Sequence, residues 1–339
     1  MKRFSLPLAL LLLTSFTTFA QQYKIAKKFP VAGEGGWDYL ISDPHQGRLF
    51  ISHGTVVNVV SEKTGALLGT IPDTKGVHGI ALAFDLNKGF ISNGRDSSVT
   101  VFDLKTLATI TKVQVTGINP DCILYDPFSH KVFAFNGRTK NATVIDGKDN
   151  KVIGTIALDG KPEFAATNEK GKVFVNIEDK NKITVINTTT LKVEANWPIT
   201  PGESASGLAI DVKNNRLFAV CDNKMMVVVD AETGKVVATP AIGEGPDAAG
   251  FDPELKRAYS SNGEGTISVI QEVSPNEFKV LETVATQKGA RTMALDTETH
   301  HIYLSAAEYG DKPEATTDNP HPRPAIKSGS FIIIDVAVN

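Results

Sequence analysis

The chain has 339 residues, of which 41% are hydrophobic, 22% charged and 7% aromatic; this is ordinary globular composition and excludes collagen-like, disordered or disulfide-framework chains. Its 35 Lys and Arg against 38 Asp and Glu give a net charge of -3, with no basic block or stripe, which argues against nucleic acid as a partner.

The first element in chain order is the apolar run Leu6 to Ala20 behind Lys2 and Arg3, closing on the small residues Thr18 and Ala20. A basic start, an apolar middle and a small-residue end read as a cleaved secretory signal over residues 1–20. Its removal moves the net charge to about -5 and leaves residues 21–339 as one domain with no apolar stretch long enough to span a membrane. No cysteine follows the cleavage point, so no lipid anchor is expected, and the destination is periplasmic or secreted.

Next comes Tyr23–Val31, which reads as a strand without partners of its own. A repeat then takes over. A polar turn residue after an apolar run recurs at Asp43, Asp85, Asp126, Asn168, Asp211, Asp252 and Asp296, at intervals of 42, 41, 42, 43, 41 and 44 residues. Each unit holds four short runs rich in β-branched and aromatic residues, separated by Gly, Asn and Asp. In the fifth unit these are Gly207–Ile210, Leu217–Cys221, Met225–Val229 and Val236–Ala241. Asn93-Gly94, Asn136-Gly137 and Asn262-Gly263 hold one turn position, where the pair would supply the positive φ of a tight hairpin.

Four strands per unit of about 42 residues, seven times, predict an all-β, seven-bladed β-propeller with four-stranded antiparallel blades. The blades begin near residues 36, 76, 117, 160, 202, 243 and 288. The seventh unit ends on its third strand, Phe331–Val336, so Tyr23–Val31 is expected to supply the fourth and close the ring. A closed ring obliges no pairing between copies, and a monomer is expected. Cys122 and Cys221 fall in blades that are not neighbours and are expected as unpaired, buried thiols.

The runs Leu49-Phe50-Ile51-Ser52-His53-Gly54, Gly89-Phe90-Ile91-Ser92-Asn93-Gly94 and Val132-Phe133-Ala134-Phe135-Asn136-Gly137 are versions of one another, each followed by a strand such as Val99–Asp103. In this the chain resembles the YVTN-repeat, YncE-like family of exported seven-bladed propellers across its whole mature length. The resemblance implies the fold and leaves the activity open, because function lives in sites grafted on folds.

Function on a propeller collects at the mouth of the central channel. Five residues before each turn anchor stand Asp38, Ile80, Asp121, Glu163, Ser206, Asp247 and Arg291, with Trp37 beside Asp38 and His78 just ahead of Ile80. Charged side chains at the entrance of apolar strands are costly unless paired, hydrated or bound to something. A second ring, at the turn after the second strand, comprises His53, Asn93, Asn136, Ile177, Cys221, Asn262 and Ala306. In it His53 is a candidate partner for Cys221 or, better placed, for His78. The seventh blade carries an insertion over residues 306–329, with four prolines, that could cover the mouth with Tyr309, His321 or Arg323.

Three readings follow. In the first, Trp37, Asp38, His53, His78, Asp121, Glu163, Asp247 and Arg291 bind a small ligand or an exported protein partner. The second is a metal-dependent hydrolase or lyase similar to propeller lactonases, in which Asp121, Glu163 and Asp247 hold a divalent cation such as calcium and a histidine moves protons. In the third, the acids only stabilise the channel through backbone and water. Phosphate loops, HExxH, paired CxxC and the Gly-x-Ser-x-Gly elbow are all absent from the sequence.

Overall fold

The computed structural model describes residues 22–314, 316, 322 and 324–338; residues 1–20, expected as a signal, and the insertion residues His321 and Arg323 lie outside them. The described strands form seven four-stranded antiparallel sheets. Blade 1 is typical, with β2 (Trp37–Asp43), β3 (Arg48–His53), β4 (Val56–Ser61) and β5 (Leu67–Ile71) in sequential order. The first strands of successive blades pack on one another around the axis, so they are innermost. The second and third strands are sandwiched between neighbouring blades and buried on both sides, which is why they read as continuous apolar runs. Seven apolar clusters fill the structure, each drawn from two adjacent blades; Phe50, Val59 and Ile71 of blade 1, for example, meet Ile91 and Phe102 of blade 2.

The ring closes as the sequence implies. The last sheet runs β26 (Met293–Asp296), β27 (His301–Ala306), β28 (Ile332–Val338) and then β1 (Tyr23–Pro30), with Tyr23 opposite Val338 and Pro30 opposite Ile332. The outer strand of blade 5 is shorter than expected, Val236–Ala238, rejoining its neighbour only at a Met225–Ala241 bridge. The base of the blade-7 insertion is tied down by a Tyr309–Ile326 bridge, and Ser328 Oγ donates to Glu34 Oε1 at 2.6 Å. Cys122 and Cys221 are both free and buried, and burial pushes the Cys221 thiol up to about 12.

The Asn-Gly pairs do a different job from the one expected. Asn93, Asn136 and Asn262 end their strands, and the left-handed residue of each turn comes later, at Ser97, Lys140 and Gly265. Each asparagine instead reaches across the hairpin: Asn93 Nδ2 donates to Ser98 Oγ at 3.0 Å and Thr100 Oγ1 at 2.9 Å, and Asn136 and Asn262 do the same to Asn141 and Thr143 and to Thr266 and Ser268. Gly94 serves close approach, since a Cβ there would sit 2.6 Å from His78 Nε2.

Candidate binding site at the mouth of the propeller

A β-bulge builds the site. In six blades the pairing of first and second strands slips at the start of the first strand, between Trp37 and Leu40, Val77 and Ile80, Pro120 and Ile123, Pro162 and Ala165, Ala205 and Leu208, and Pro246 and Ala248. An extra residue in one strand re-aims the side chains beside it. Here it sits at the second residue of each innermost strand, and those residues are Asp38, His78, Asp121, Glu163, Ser206 and Asp247, with Arg291 in the same place in blade 7.

This corrects the sequence alignment in one blade. Asp85 lies in a short 3-10 turn, Phe84–Leu86, two residues beyond the end of the strand Val77–Ala83, whereas Asp43 and Asp126 end theirs. Counting back from Asp85 therefore lands on Ile80, which is buried between blades 1 and 2, and the ring member is His78.

The bulges are pinned by residues that the sequence reading passed over, at the fifth position of the second strand. Ser52 Oγ accepts from the Asp38 amide at 2.9 Å and donates to the Tyr39 carbonyl at 2.8 Å. Ser92 Oγ accepts from Gly79 N and donates to the Asp121 carbonyl of the next blade. Asn176 and Ser261 likewise reach the carbonyls of Ser206 and Arg291. A Ser or Asn at the fifth position of an otherwise apolar strand, two places before a glycine for Ser52, Ser92 and Ser261, was the available signal.

Asp38, Asp121, Glu163, Asp247 and Arg291 all line one cavity of about 310 Å³, together with Lys161, Glu178, Ser206 and Asp222. Tyr39 and Phe164, with ring centroids 4.5 Å apart, line it too, as do Gly245 and Pro246. Among the described lining residues, six carboxyl groups thus face one lysine and one arginine. Lys161 Nζ lies 2.6 Å from both Glu163 Oε1 and Glu178 Oε2, and Arg291 Nε lies 3.2 Å from Asp247 Oδ2. His78 Nδ1 is 2.6 Å from Asp38 Oδ2 and 3.7 Å from Asp121 Oδ1.

Crowded acids in a part-buried site resist ionisation. Burial, followed by the charge of Asp38, pushes Asp121 up to about 6 against the pull of His78 and Lys161. Burial and Asp121 push Glu163 up to about 7, although its hydrogen bond to Lys161 opposes this. Asp247 and Asp222 are raised in the same way, with Arg291 opposing. For His78 burial works downward, but the hydrogen bond to Asp38 and the charges of Asp121, Asp38 and Glu163 outweigh it, so the imidazole holds its proton more tightly than usual. One nitrogen of His78 and one oxygen each of Asp38 and Asp121 lie within 4.8 Å of one another, no farther apart than donors on opposite sides of one divalent ion.

The other candidates separate. His53 is buried, with its ring 4.4 Å from Phe331 and its Nδ1 3.3 Å from Asn58 Nδ2, and burial lowers its pKa. Among the described residues it contacts neither His78 nor Cys221, whose Sγ points to the Ala219 carbonyl. Trp37 and Tyr309 come together, ring centroids 6.2 Å apart, with Phe331 4.9 Å from Trp37. They stand beside the mouth, and Arg291 joins them to it by lining both the mouth and the hollow next to it.

No family model matches the chain. Two curated relatives align with about half of it: a U3 small nucleolar RNA-associated protein 18 homolog of Arabidopsis thaliana, 25% identical over 189 residues, and Antigen Lp49 of Leptospira interrogans, 26% identical over 194 residues. The aligned segment is 52% of this chain in both cases but only 34% and 40% of those proteins. Similar solved structures include the WD40 repeats of RRP9 (TM-score 0.75, 9% identity, covering 94% of this chain and 100% of that one) and U3-55K (0.74, 10%, 92% and 99%). Hydrazine synthase of Kuenenia stuttgartiensis is similar too (0.68, 16%, 81% and 94%). At these identities the likeness shows the fold alone: a seven-bladed β-propeller with WD40-like structural neighbours.

Proposed function

We propose that this is an exported binding propeller that takes the cationic group of a small ligand into its mouth. The observation that carries the reading is that, among the described residues, one 310 Å³ cavity is lined by Asp38, Asp121, Glu163, Glu178, Asp222 and Asp247 with Lys161 and Arg291. Such a surplus of acids is destabilising when empty and is relieved by a cation. Export, and kinship with the YVTN-repeat, YncE-like proteins, belong to the same proposal. They are supported by the pattern of residues 1–20 and by the Phe-Ile-Ser-x-Gly runs of the second strands.

Calorimetry with benzylamine against benzyl alcohol tests it. The amine is expected to bind, the alcohol not, and Glu163→Gln with Asp38→Asn to weaken the amine at least tenfold. Equal behaviour of amine and alcohol would reject the reading.

The Asp38, His78 and Asp121 cluster favours a second reading, a metal-dependent hydrolase or lyase. A histidine among the donors shifts the fit from calcium toward a transition ion such as zinc or manganese. Such an ion would polarise a carbonyl or lower the pKa of a water, and Glu163, with its raised pKa, would be placed to exchange a proton. Metal analysis of the purified chain, with melting curves before and after chelation, separates the readings. A stoichiometric ion whose removal lowers Tm supports the enzyme, and no ion with an unchanged Tm rejects it.

A further inference from the structure

Beside the mouth lies a second hollow of about 570 Å³, lined by Gly36, Trp37, Gly263, Gly289, Arg291, Tyr309, Pro324 and Ile326. It shares Gly263, Gly289, Tyr309 and Pro324 with a further 680 Å³ recess under the base of the blade-7 insertion. Three glycines, two aromatic rings, a proline and an isoleucine make it open and largely apolar. A Cβ on Gly36 would meet nothing within 4 Å. This is space for a side chain of several carbons, and nothing in the mouth reading uses it.

Arg291 stands between the two spaces. Its Nε is held by Asp247 Oδ2, while Asp247 Oδ1 is taken by Ser206 Oγ at 2.9 Å. Among the described residues the guanidinium is paired with Asp247 and makes no side-chain hydrogen bond, and the side chain is 61% exposed. An exposed guanidinium paired with one carboxylate still carries donors that can take a second one as a fork. Around Arg291, then, the chain presents acids for an ammonium, an arginine for a carboxylate and an aromatic hollow for a hydrocarbon body.

Resting on the mouth reading, we infer that the ligand is a free α-amino acid with an aromatic or large aliphatic side chain. Its ammonium enters the carboxylate ring, its carboxylate meets Arg291, and its side chain lies between Trp37 and Tyr309. The three contacts share a junction at Arg291 and Asp38, the residue after Trp37, as the three substituents of one α-carbon require. An amine alone leaves Arg291 unused, and an acid alone meets a ring of like charge.

Calorimetry on the mature chain with L-phenylalanine, phenethylamine and 3-phenylpropionate tests the inference. L-phenylalanine is expected to bind at least tenfold tighter than either analogue. Arg291→Gln should abolish the preference for L-phenylalanine over phenethylamine. Gly36→Leu, whose Cβ meets nothing within 4 Å and which needs no left-handed backbone, puts bulk into the hollow and should weaken L-phenylalanine at least tenfold at unchanged Tm. Phenethylamine binding as tightly as L-phenylalanine to the unaltered chain would overturn the inference and leave the mouth reading standing. Binding of none of the three would overturn both. An unaltered L-phenylalanine affinity in a folded Gly36→Leu chain would remove the hollow from the site and overturn the inference as well.

Discussion

The hydroxyl of Ser92 joins two blades through one oxygen, accepting from Gly79 N at 2.8 Å and donating to the Asp121 carbonyl. Ser92→Ala leaves a buried amide without an acceptor, which costs about 1–3 kcal/mol. Urea unfolding should show that loss, and a change below a few tenths would mean that water replaces the hydroxyl. The same residue scale sets the protonation of His78, whose proton is retained by Asp38 at 2.6 Å. A histidine whose folded pKa is raised contributes stability in full below its ordinary value of about 6.5, and that contribution is lost as pH rises through the higher folded value. Asp38→Asn should lower the imidazole pKa, read directly by NMR titration, and shrink this pH dependence. An unmoved titration would show that the pair is not formed in solution.

At the scale of the element, the repeat places chemically different residues in one structural position. The residue after each third-strand crossing, identified by its amide donating to the turn below, is Glu62, Leu104, Gly147, Thr188, Ala231 and Glu272 in blades 1 to 6. Four are uncharged; the two glutamates are buried, and each is pushed up to about 7, Glu62 by burial followed by Asp296, Asp43 and Asp335. For a carboxyl group raised in this way the unfolded chain ionises first, so stability falls as pH climbs from about 4.5 to about 7. Glu62→Gln should flatten that slope and raise stability at pH 8 by up to roughly 3 kcal/mol, in proportion to the shift. Urea melts from pH 4.5 to pH 8 check this, and parallel curves for the two proteins would rule it out. In the sequence Ser61-Glu62-Lys63-Thr64-Gly65 looks like any solvated turn, because the groups around Glu62, Ser42 and Asp43 as well as Asp296 and Asp335 of blade 7, are distant in sequence. The blade count was legible, since every unit repeats the same strand lengths. Most of the ring was legible too, because Asp38, Asp121, Glu163, Asp247 and Arg291 keep their distance from a turn anchor. In blade 2 the count fell on Ile80 and His78 was named only as its neighbour, because Ala83 replaces the strand-ending acid and Asp85 imitates it two residues later. The bulge that turns these side chains inward is a slip of pairing between strands and leaves no mark in the spacing of one strand.

The whole molecule depends on a seam made by its first and last described strands. β1 covers β28 from Tyr23 to Pro30, Phe29 and Val31 enter the core between blades 7 and 1, and the Tyr23 hydroxyl lies 2.6 Å from that of Tyr259 in blade 6. The Tyr23 amide also donates to Glu282 Oε1 at 3.1 Å, so this strand fastens blade 7 to blade 6 as well as completing it. A chain lacking residues 22–31 would present β28, Ile-Ile-Ile-Asp-Val-Ala-Val, as an uncovered edge, the kind of strand that pairs with another copy. It is expected to melt lower and to elute as dimers or larger species in size-exclusion chromatography. A synthetic peptide of residues 22–31 should restore the monomer, because the missing strand can re-form its ladder in trans. The seam also carries Trp37, Phe331 and Arg291, so the site beside the mouth is assembled across the junction that β1 closes. A ligand bound there therefore links blades 7 and 1, and it should raise the Tm of the trimmed chain more than that of the full one. Equal shifts in the two proteins would place the ligand within one blade and away from the seam.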